Sequence, residues 1–391
     1  MKNKTIIKWG AFAVSVVLAA MGCWFCWNCP MDWLYGEGQH SVFMRQVVWN
    51  AMGLVLFAGA SMVRWKWWQK SAPWLLVVWA LLAFYAVFFC RPINGSYRWV
   101  SIGFLRINVR TLFILVSALF AAWLCSKKHV RPWMIYLVIA LFFALCGFRV
   151  FTNANRTARF VSFFAQDSSS SHWMWMQCQL KAAFGAANWF GGAGLSLRYL
   201  PNPLNDGMAS ATALIFGKWF PIVVLGLLAV LGGLLSAIWL GVKDSSKRMF
   251  LLFWGAGMLA PAIYGFFQCV GFVPVYGCSP VLVGYGGTSV MVFWLGLGVV
   301  FSLLREDERQ TAGRWSAACI CVWCGIVAAF TAGVVVASGT TLKFAEPPPR
   351  SSDFGEFGTQ AKRGEILAAD GTALAHSCKI FHIHLDPKAA R

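Results

Sequence analysis

Apolar residues in this chain arrive in long runs broken by short polar loops, the pattern of a polytopic membrane protein rather than of a soluble core. A helix needs about 20 apolar residues to cross a bilayer. Nine runs approach that length, at 5–27, 43–63, 74–90, 110–126, 132–150, 215–241, 249–270, 282–304 and 317–338. The first follows Lys2, Lys4 and Lys8, lacks a small-residue cleavage site and closes on Trp24 and Trp27, so it reads as a retained span. Between the fifth and sixth runs lies a long outer loop, 151–216, containing Ser168-Ser169-Ser170-Ser171. Within that loop, Trp173 to Trp189 reads as an interfacial or re-entrant helix.

After the last run the character changes. Glu346-Pro347-Pro348-Pro349-Arg350 is a stiff extended linker, and the polar residues beyond it end in Phe381-His-Ile-His-Leu385, an alternating, strand-like run. So short a tail buries little core and reads as the opening of a soluble domain. The predicted fold is an all-α polytopic membrane protein of about nine transmembrane helices with a large outer loop, plus a short extracytoplasmic α/β tail. Its regions are a membrane domain over 1–310, a further membrane anchor over 311–340, and a linker with tail segment over 341–391.

Composition agrees: 59% of residues are hydrophobic and 12% charged, with 22 Trp. The net charge of +19 would suit a nucleic-acid binder, but its distribution excludes that class. Basic residues fill alternate short loops: Arg64, Lys66 and Lys70; Lys127, Lys128 and Arg131; Lys243, Lys247 and Arg248; Arg305, Arg309 and Arg314. With the N-terminal lysines, that is the positive-inside pattern of a multi-pass protein with a cytoplasmic N-terminus and an outer C-terminal tail. Arg91, Arg98, Arg106, Arg110, Arg156, Arg159 and Arg198 fall in outer loops against this preference. Binding an anionic group would explain them, since guanidinium meets phosphate bidentately; contact with lipid headgroups is the plainer reading. Cys23-x-x-Cys26-x-x-Cys29 and Cys321-x-x-Cys324 have metal-like spacing but no His or second pair to complete a site, so no metal site is assigned.

Two irregular segments interrupt the membrane pattern: Leu200-Pro201-Asn-Pro-Leu-Asn-Asp206 with Gly217 beyond it, and Gly271-Phe-Val-Pro274-Val-Tyr-Gly277 running on to Gly284-Tyr285-Gly286-Gly287-Thr288-Ser289. Gly- and Pro-rich backbone at membrane depth survives only where it packs on protein or lines a cavity. No acidic residue and no histidine lies within a predicted span, which counts against an ion-coupled transporter. Of the outer acids Asp32, Glu37, Asp167 and Asp206, the last sits beside the irregular loops. A carboxylate there can act as a general base. The commoner role of an Asp just ahead of a helix is an N-cap, and position alone leaves both open.

These segments resemble the SEDS family, the FtsW/RodA type of cell-wall polymerase. Asn94-Gly-Ser-Tyr-Arg98-Trp99-Val-Ser-Ile-Gly103-Phe-Leu-Arg106-Ile is similar to N-G-x-x-R-W-I-x-x-G-x-x-R-I. Arg159-Phe-Val-Ser-Phe163, Gln177 and Gly192-x-Gly194 echo the loop leading to the active site. Pro201, Asp206 and Gly217 keep the spacing of P-E-x-H-T-D-F-I-F…G, and Gly271, Pro274, Gly277 and Tyr285-Gly-Gly-Thr-Ser289 fit G-L-L-P-x-x-G…S-Y-G-G-S-S. In the tail, Arg363-Gly364-Glu-Ile366-Leu-Ala-Ala-Asp370-Gly371-Thr-Ala-Leu374-Ala375 resembles the R-G-x-I-x-D-R-N-G-x-x-L-A opening of the class B penicillin-binding-protein pedestal. That would make 311–340 a penicillin-binding-protein-like anchor. The tail has no Ser-x-x-Lys and no Lys-Thr-Gly, so transpeptidation is not expected of this chain.

The resemblance implies an inverting peptidoglycan glycosyltransferase of the bacterial cytoplasmic membrane. Such an enzyme polymerises lipid II, releases undecaprenyl diphosphate, and works with a class B penicillin-binding protein or other division or elongation proteins. It implies Asp206 as catalytic base, with Arg98, Trp99, Arg106, Arg159, Gln177, Tyr285, Gly286, Gly287, Thr288 and Ser289 as the substrate-binding set. No cofactor is assigned; a divalent cation is left open. Departures from the family pattern are Asn108-Val109-Arg110-Thr111 where it reads Q-P-S-E or Q-P-A-E, Gly-Met-Ala after Asp206, and Leu214-Ile215 in place of paired glutamates. A span carrying P-D-x-G-T, with its neighbour, is also missing around 150–156. A non-catalytic scaffold and a lipid II carrier or flippase are the competing readings.

Overall fold

A computed structural model describes residues 2–29, 39–90, 99–102, 105–127, 154–165, 172–194, 197, 200–278, 280–305, 317–339, 366–367 and 373–375. Eleven helices occur among them: α1 Lys2–Asn28, α2 Gln39–Met62, α3 Trp65–Phe89, α4 Val109–Cys125, α5 Ala154–Ala165, α6 His172–Ala186, α7 Met208–Phe216, α8 Trp219–Gly241, α9 Ser245–Cys269, α10 Gly287–Arg305 and α11 Ala317–Ser338. Seven of these helices are long and apolar enough to cross a membrane, and α4 is a shorter apolar helix. They recover eight of the nine expected runs; the run over 132–150 lies outside the described residues.

Boundaries moved where local chemistry overrode hydropathy. Asp244 Oδ1 accepts a hydrogen bond from Ser246 N at 2.9 Å, so α9 starts at Ser245 rather than at 249. Helix α3 begins at Trp65 and runs through Pro73, eight residues ahead of that proline. The run expected from 215 is split: Gly217 stands at φ +105° between α7 and α8. A side chain there would meet the carbonyl oxygen of Trp189 at 2.6 Å, so only glycine fits the break.

Two strands were not expected. β1 (Trp99–Ile102) and β2 (Leu105–Asn108) form an antiparallel hairpin with Trp99 opposite Asn108 and Ser101 opposite Arg106. Buried Val100 and Val109 pack on Ala86 of α3, so the hairpin stands on the bundle instead of hanging as a loop.

The closest helix pairing is α2 against α10, made through small residues. A side chain at Gly298 would lie 2.5 Å from the carbonyl oxygen of Phe57, and one at Gly53 would run into the Trp294 indole. Trp294 Nε1 donates to Asn50 Oδ1 at 3.2 Å, fixing the ring over that notch. Gly53→Val is therefore expected to destabilise the bundle by about 1–3 kcal/mol, read as a lower melting temperature of the purified protein. Helix α11 docks on α8 by the same device: Trp323 covers Gly232 and donates to Ser236 Oγ at 3.3 Å. Farther along, Phe330 is fully buried among Phe184, Phe266 and Phe267.

Residues 347–391 form a second compact unit. In it, β3 (Ile366–Leu367) pairs antiparallel with β4 (Ala373–Ala375), within the pedestal-like motif. The run 381–385 lies outside the described residues.

Candidate active site

Asp206 ends a proline-bracketed turn. Asn202 takes a left-handed conformation at φ 44°, and its carbonyl accepts hydrogen bonds from Asn205 N and Gly207 N, each at 3.0 Å. This curls the chain so tightly that a side chain at 207 would meet the Pro201 carbonyl at 2.6 Å. The cap of α7 is consequently Gly207, with no side-chain cap hydrogen bond. The N-cap role open to Asp206 in the sequence is thus not the one it takes.

The main chain of Asp206 is anchored and its carboxylate is turned elsewhere. Its carbonyl accepts Gln268 Nε2 at 2.8 Å and Cys269 Sγ at 3.2 Å, both from the last turn of α9. The side chain is 9% exposed, and Oδ2 accepts Asn202 Nδ2 at 3.3 Å. Both carboxylate oxygens lie 3.9 Å, and Arg159 Nη1 4.0 Å, from the point where a side chain at Gly277 would begin. Gly277 itself stands at φ +82°. The open glycine position thus brings a carboxylate and a guanidinium to one small space.

Gln268 holds this arrangement and was missed in the sequence. Fully buried, it also donates to the Cys278 carbonyl at 2.9 Å and accepts Tyr276 N at 3.2 Å on Oε1. Gln177 Nε2 in turn donates to the Gln268 carbonyl at 2.9 Å. One amide side chain therefore knits the Asp206 turn to the loop through Gly277. A lone Gln in the last turn of an apolar run was the signal available, because a buried amide must find partners.

Burial raises the Cys278 thiol to about 11; the Arg110 guanidinium opposes that shift and Asp206 adds to it. Arg110, which the sequence offered only as an outer-loop arginine, thus faces the same place. It opens α4, where Asn108 Oδ1 accepts its N–H at 3.1 Å. The arrangement offers a buried carboxylate beside a guanidinium, suited to taking a proton while an anionic group leaves.

The other expected substrate residues divide. Thr288 Oγ1 accepts Asn108 N at 3.1 Å and donates to the Arg106 carbonyl at 3.2 Å, clamping β2 to the start of α10. Tyr285 N donates to the Leu204 carbonyl at 2.9 Å, tying its loop to the Asp206 turn. A side chain at Gly287 would lie 2.6 Å from the Trp49 ring, so that glycine permits close packing. Gln177, Thr288, Tyr285 and Gly287 thus each make contacts that tie the loops together. Gly286 and Ser289 lie beside each other at the start of α10, with the Ser289 hydroxyl 3.7 Å from where a Gly286 side chain would begin. Arg106 is exposed on β2, and Trp99 is half-buried on β1. Arg98 lies outside the described residues. Among the described residues, no group of three or more His, Cys, Asp or Glu could hold a metal ion.

The 15-residue α6 packs against α7, α9 and α11, with Leu180, Ala183 and Phe184 buried. The segment is thus helical, as expected, and packed on the bundle.

Residues 9–150 match the family profile of FtsW, RodA and SpoVE, described as cell cycle protein. A probable peptidoglycan glycosyltransferase FtsW of Thioalkalivibrio is 24% identical over 365 residues, covering 76% of this chain and 89% of that protein. The protein of the same description from Coxiella burnetii is 24% identical over 379 residues, covering 79% of this chain and all of its own length. Among solved structures, a chain from a peptidoglycan synthase complex that coordinates polymerisation and crosslinking aligns with a TM-score of 0.61 at 18% identity, covering 77% of this chain and 98% of that one. The rod shape determining protein RodA of Thermus thermophilus aligns at 0.56 and 22% identity, covering 78% and 98%. The fold is the RodA fold.

Proposed function

We propose that this chain, similar to FtsW and RodA in sequence and RodA-like in fold, is a peptidoglycan glycosyltransferase that polymerises lipid II. The observation that carries the reading is the Asp206 carboxylate, released from capping and held beside Arg159 across Gly277. In this reaction the acceptor sugar's 4-hydroxyl attacks the donor's anomeric carbon from the face opposite the diphosphate, inverting it. Asp206 takes the hydroxyl proton as the C–O bond forms, and the electron pair of the breaking bond leaves with undecaprenyl diphosphate. Arg159 and Arg110, with Arg98 and with Arg106 of the hairpin, receive the charge that grows on the leaving group. Trp99 offers a flat face for a sugar, and the backbone of Gly286 with Ser289 lines the approach to α10.

Helices α3, α4 and α9 support the orientation. Helix α4 begins beside the site at Val109 and ends next to Lys127; the first turns of α3 carry Lys66 and Lys70; the first turn of α9 carries Lys247 and Arg248, and its last turn Gln268. The basic loops and Asp206 thus lie at opposite ends of the bundle. A cytoplasmic N-terminus then puts the site, and the tail after α11, on the extracytoplasmic side. Helix α11 serves as the anchor of a penicillin-binding-protein-like tail, and the working partner is a class B penicillin-binding protein.

The test is incubation of the purified chain with labelled lipid II, followed by digestion with a muramidase specific for β-1,4 links. Muramidase-sensitive strands are expected; no strand from a protein that binds lipid II would favour the scaffold or carrier reading. Arg159→Gln is expected to lower turnover about 10²-fold in the same assay, the usual loss when one donor to a developing anion is removed.

A further inference from the structure

The end of the bundle away from Asp206 carries a concave site of its own. Lys66, Gln69 and Lys70 from the first turns of α3 face Trp123, Ser126 and Lys127 at the end of α4 across an open hollow of about 280 Å³. Among the described residues, no acidic side chain lines it. Its wall is braced: Gln69 Nε2 donates to Ser246 Oγ at 2.9 Å, and Ser246 is buried in the first turn of α9. The Ser126 hydroxyl donates to the Trp123 carbonyl at 2.7 Å, and Lys127 Nζ stands 5.0 Å from the Trp123 ring. The positive-inside rule asks only for charge near helix ends; it does not ask for lysines from two helices around one hollow.

Below the hollow runs a second feature. Trp74 follows Lys70 by one helical turn on α3, and Trp74, Val77, Val78 and Leu81 are all exposed. A cationic hollow at a helix end, continued by an apolar helix face, has the form of one lipid molecule: an anionic head above its acyl chains. A soluble anion would make no use of the apolar face.

We propose that this pocket binds an anionic glycerophospholipid, its phosphodiester held by Lys66, Lys70 and Lys127 and its acyl chains laid along α3. The site is separate from the polymerising centre and draws on the leaflet at the opposite end of α4.

Native mass spectrometry of the full chain released from detergent tests this, with phosphatidylglycerol and phosphatidylcholine as competing probes. Wild type is expected to retain phosphatidylglycerol preferentially. Replacing Lys66, Lys70 and Lys127 together by Gln should cut that retention about a hundredfold, about fivefold for each lysine near an anionic lipid surface. Neutralising Lys4, Lys8 and Lys243, basic residues outside the pocket, should cost less than about threefold. Equal losses in the two triple variants, or no headgroup preference in wild type, would overturn the proposal. Displacement of the lipid by millimolar soluble glycerol phosphate would overturn it too, by making the ligand a free phosphate ester. Should the triple variant misfold, Lys127→Gln alone is read: about a fivefold loss supports the site, and none refutes it.

Discussion

Asp206→Asn is expected to reduce lipid II polymerisation by about 10³-fold while leaving the melting temperature nearly unchanged, the range over which positioned acid–base groups act. The substitution keeps the shape of the side chain and removes the charge. The structural duties of the residue rest on its main chain: its carbonyl takes Gln268 Nε2 and Cys269 Sγ. The cap of the following helix belongs to Gly207. At the side chain, an amide oxygen can still accept Asn202 Nδ2, while the charge facing Arg159 across Gly277 is lost. A purely structural Asp would show the reverse, with stability lost and turnover per folded molecule kept. Asp206→Glu should recover part of the rate, since it restores the base but displaces it from the space beside Gly277.

Gln268→Leu is expected to be nearly as damaging by another route. Leucine fills a similar volume, yet it strips partners from the Asp206 carbonyl, the Cys278 carbonyl and Tyr276 N together. A buried polar group left without a partner costs about 1–3 kcal/mol. The turn and the loop should part, carrying Asp206 away from the Gly277 space and lowering turnover about 10²-fold, as misplacements near 1 Å do. Unlike Asp206→Asn, this variant should also melt at a markedly lower temperature. Thermal unfolding and lipid II turnover on the same preparations separate the two mechanisms.

Hydropathy alone made most of the membrane architecture legible, because a bilayer forces each spanning segment to satisfy its backbone internally. Where it misjudged ends, the cause was short-range chemistry. Asp244 capped a helix four residues earlier than apolarity suggested, and Gly217 broke a run that stays apolar across it. The β1–β2 hairpin was hidden because each strand spans only four residues, too few for an alternating pattern to stand out.

In the site, the proline turn and scarcity of acids marked Asp206, but position could not separate a cap from a base. Backbone geometry gives the cap to Gly207. Gln177 and Thr288 were read as substrate contacts from their place in motifs; both make hydrogen bonds to the protein main chain. Gln268 and Arg110 were passed over for opposite reasons. The first looked like one polar residue in a greasy helix, and the second stands where the family pattern has no arginine.

The measurement that tests the central claim most directly compares purified wild type with Asp206→Asn at matched folding, recording lipid II binding and glycan-strand formation side by side. The proposed chemistry predicts equal binding, with strands from wild type and none from the variant. Strands from both, at rates within a few-fold, would contradict it, because the base would then reside elsewhere.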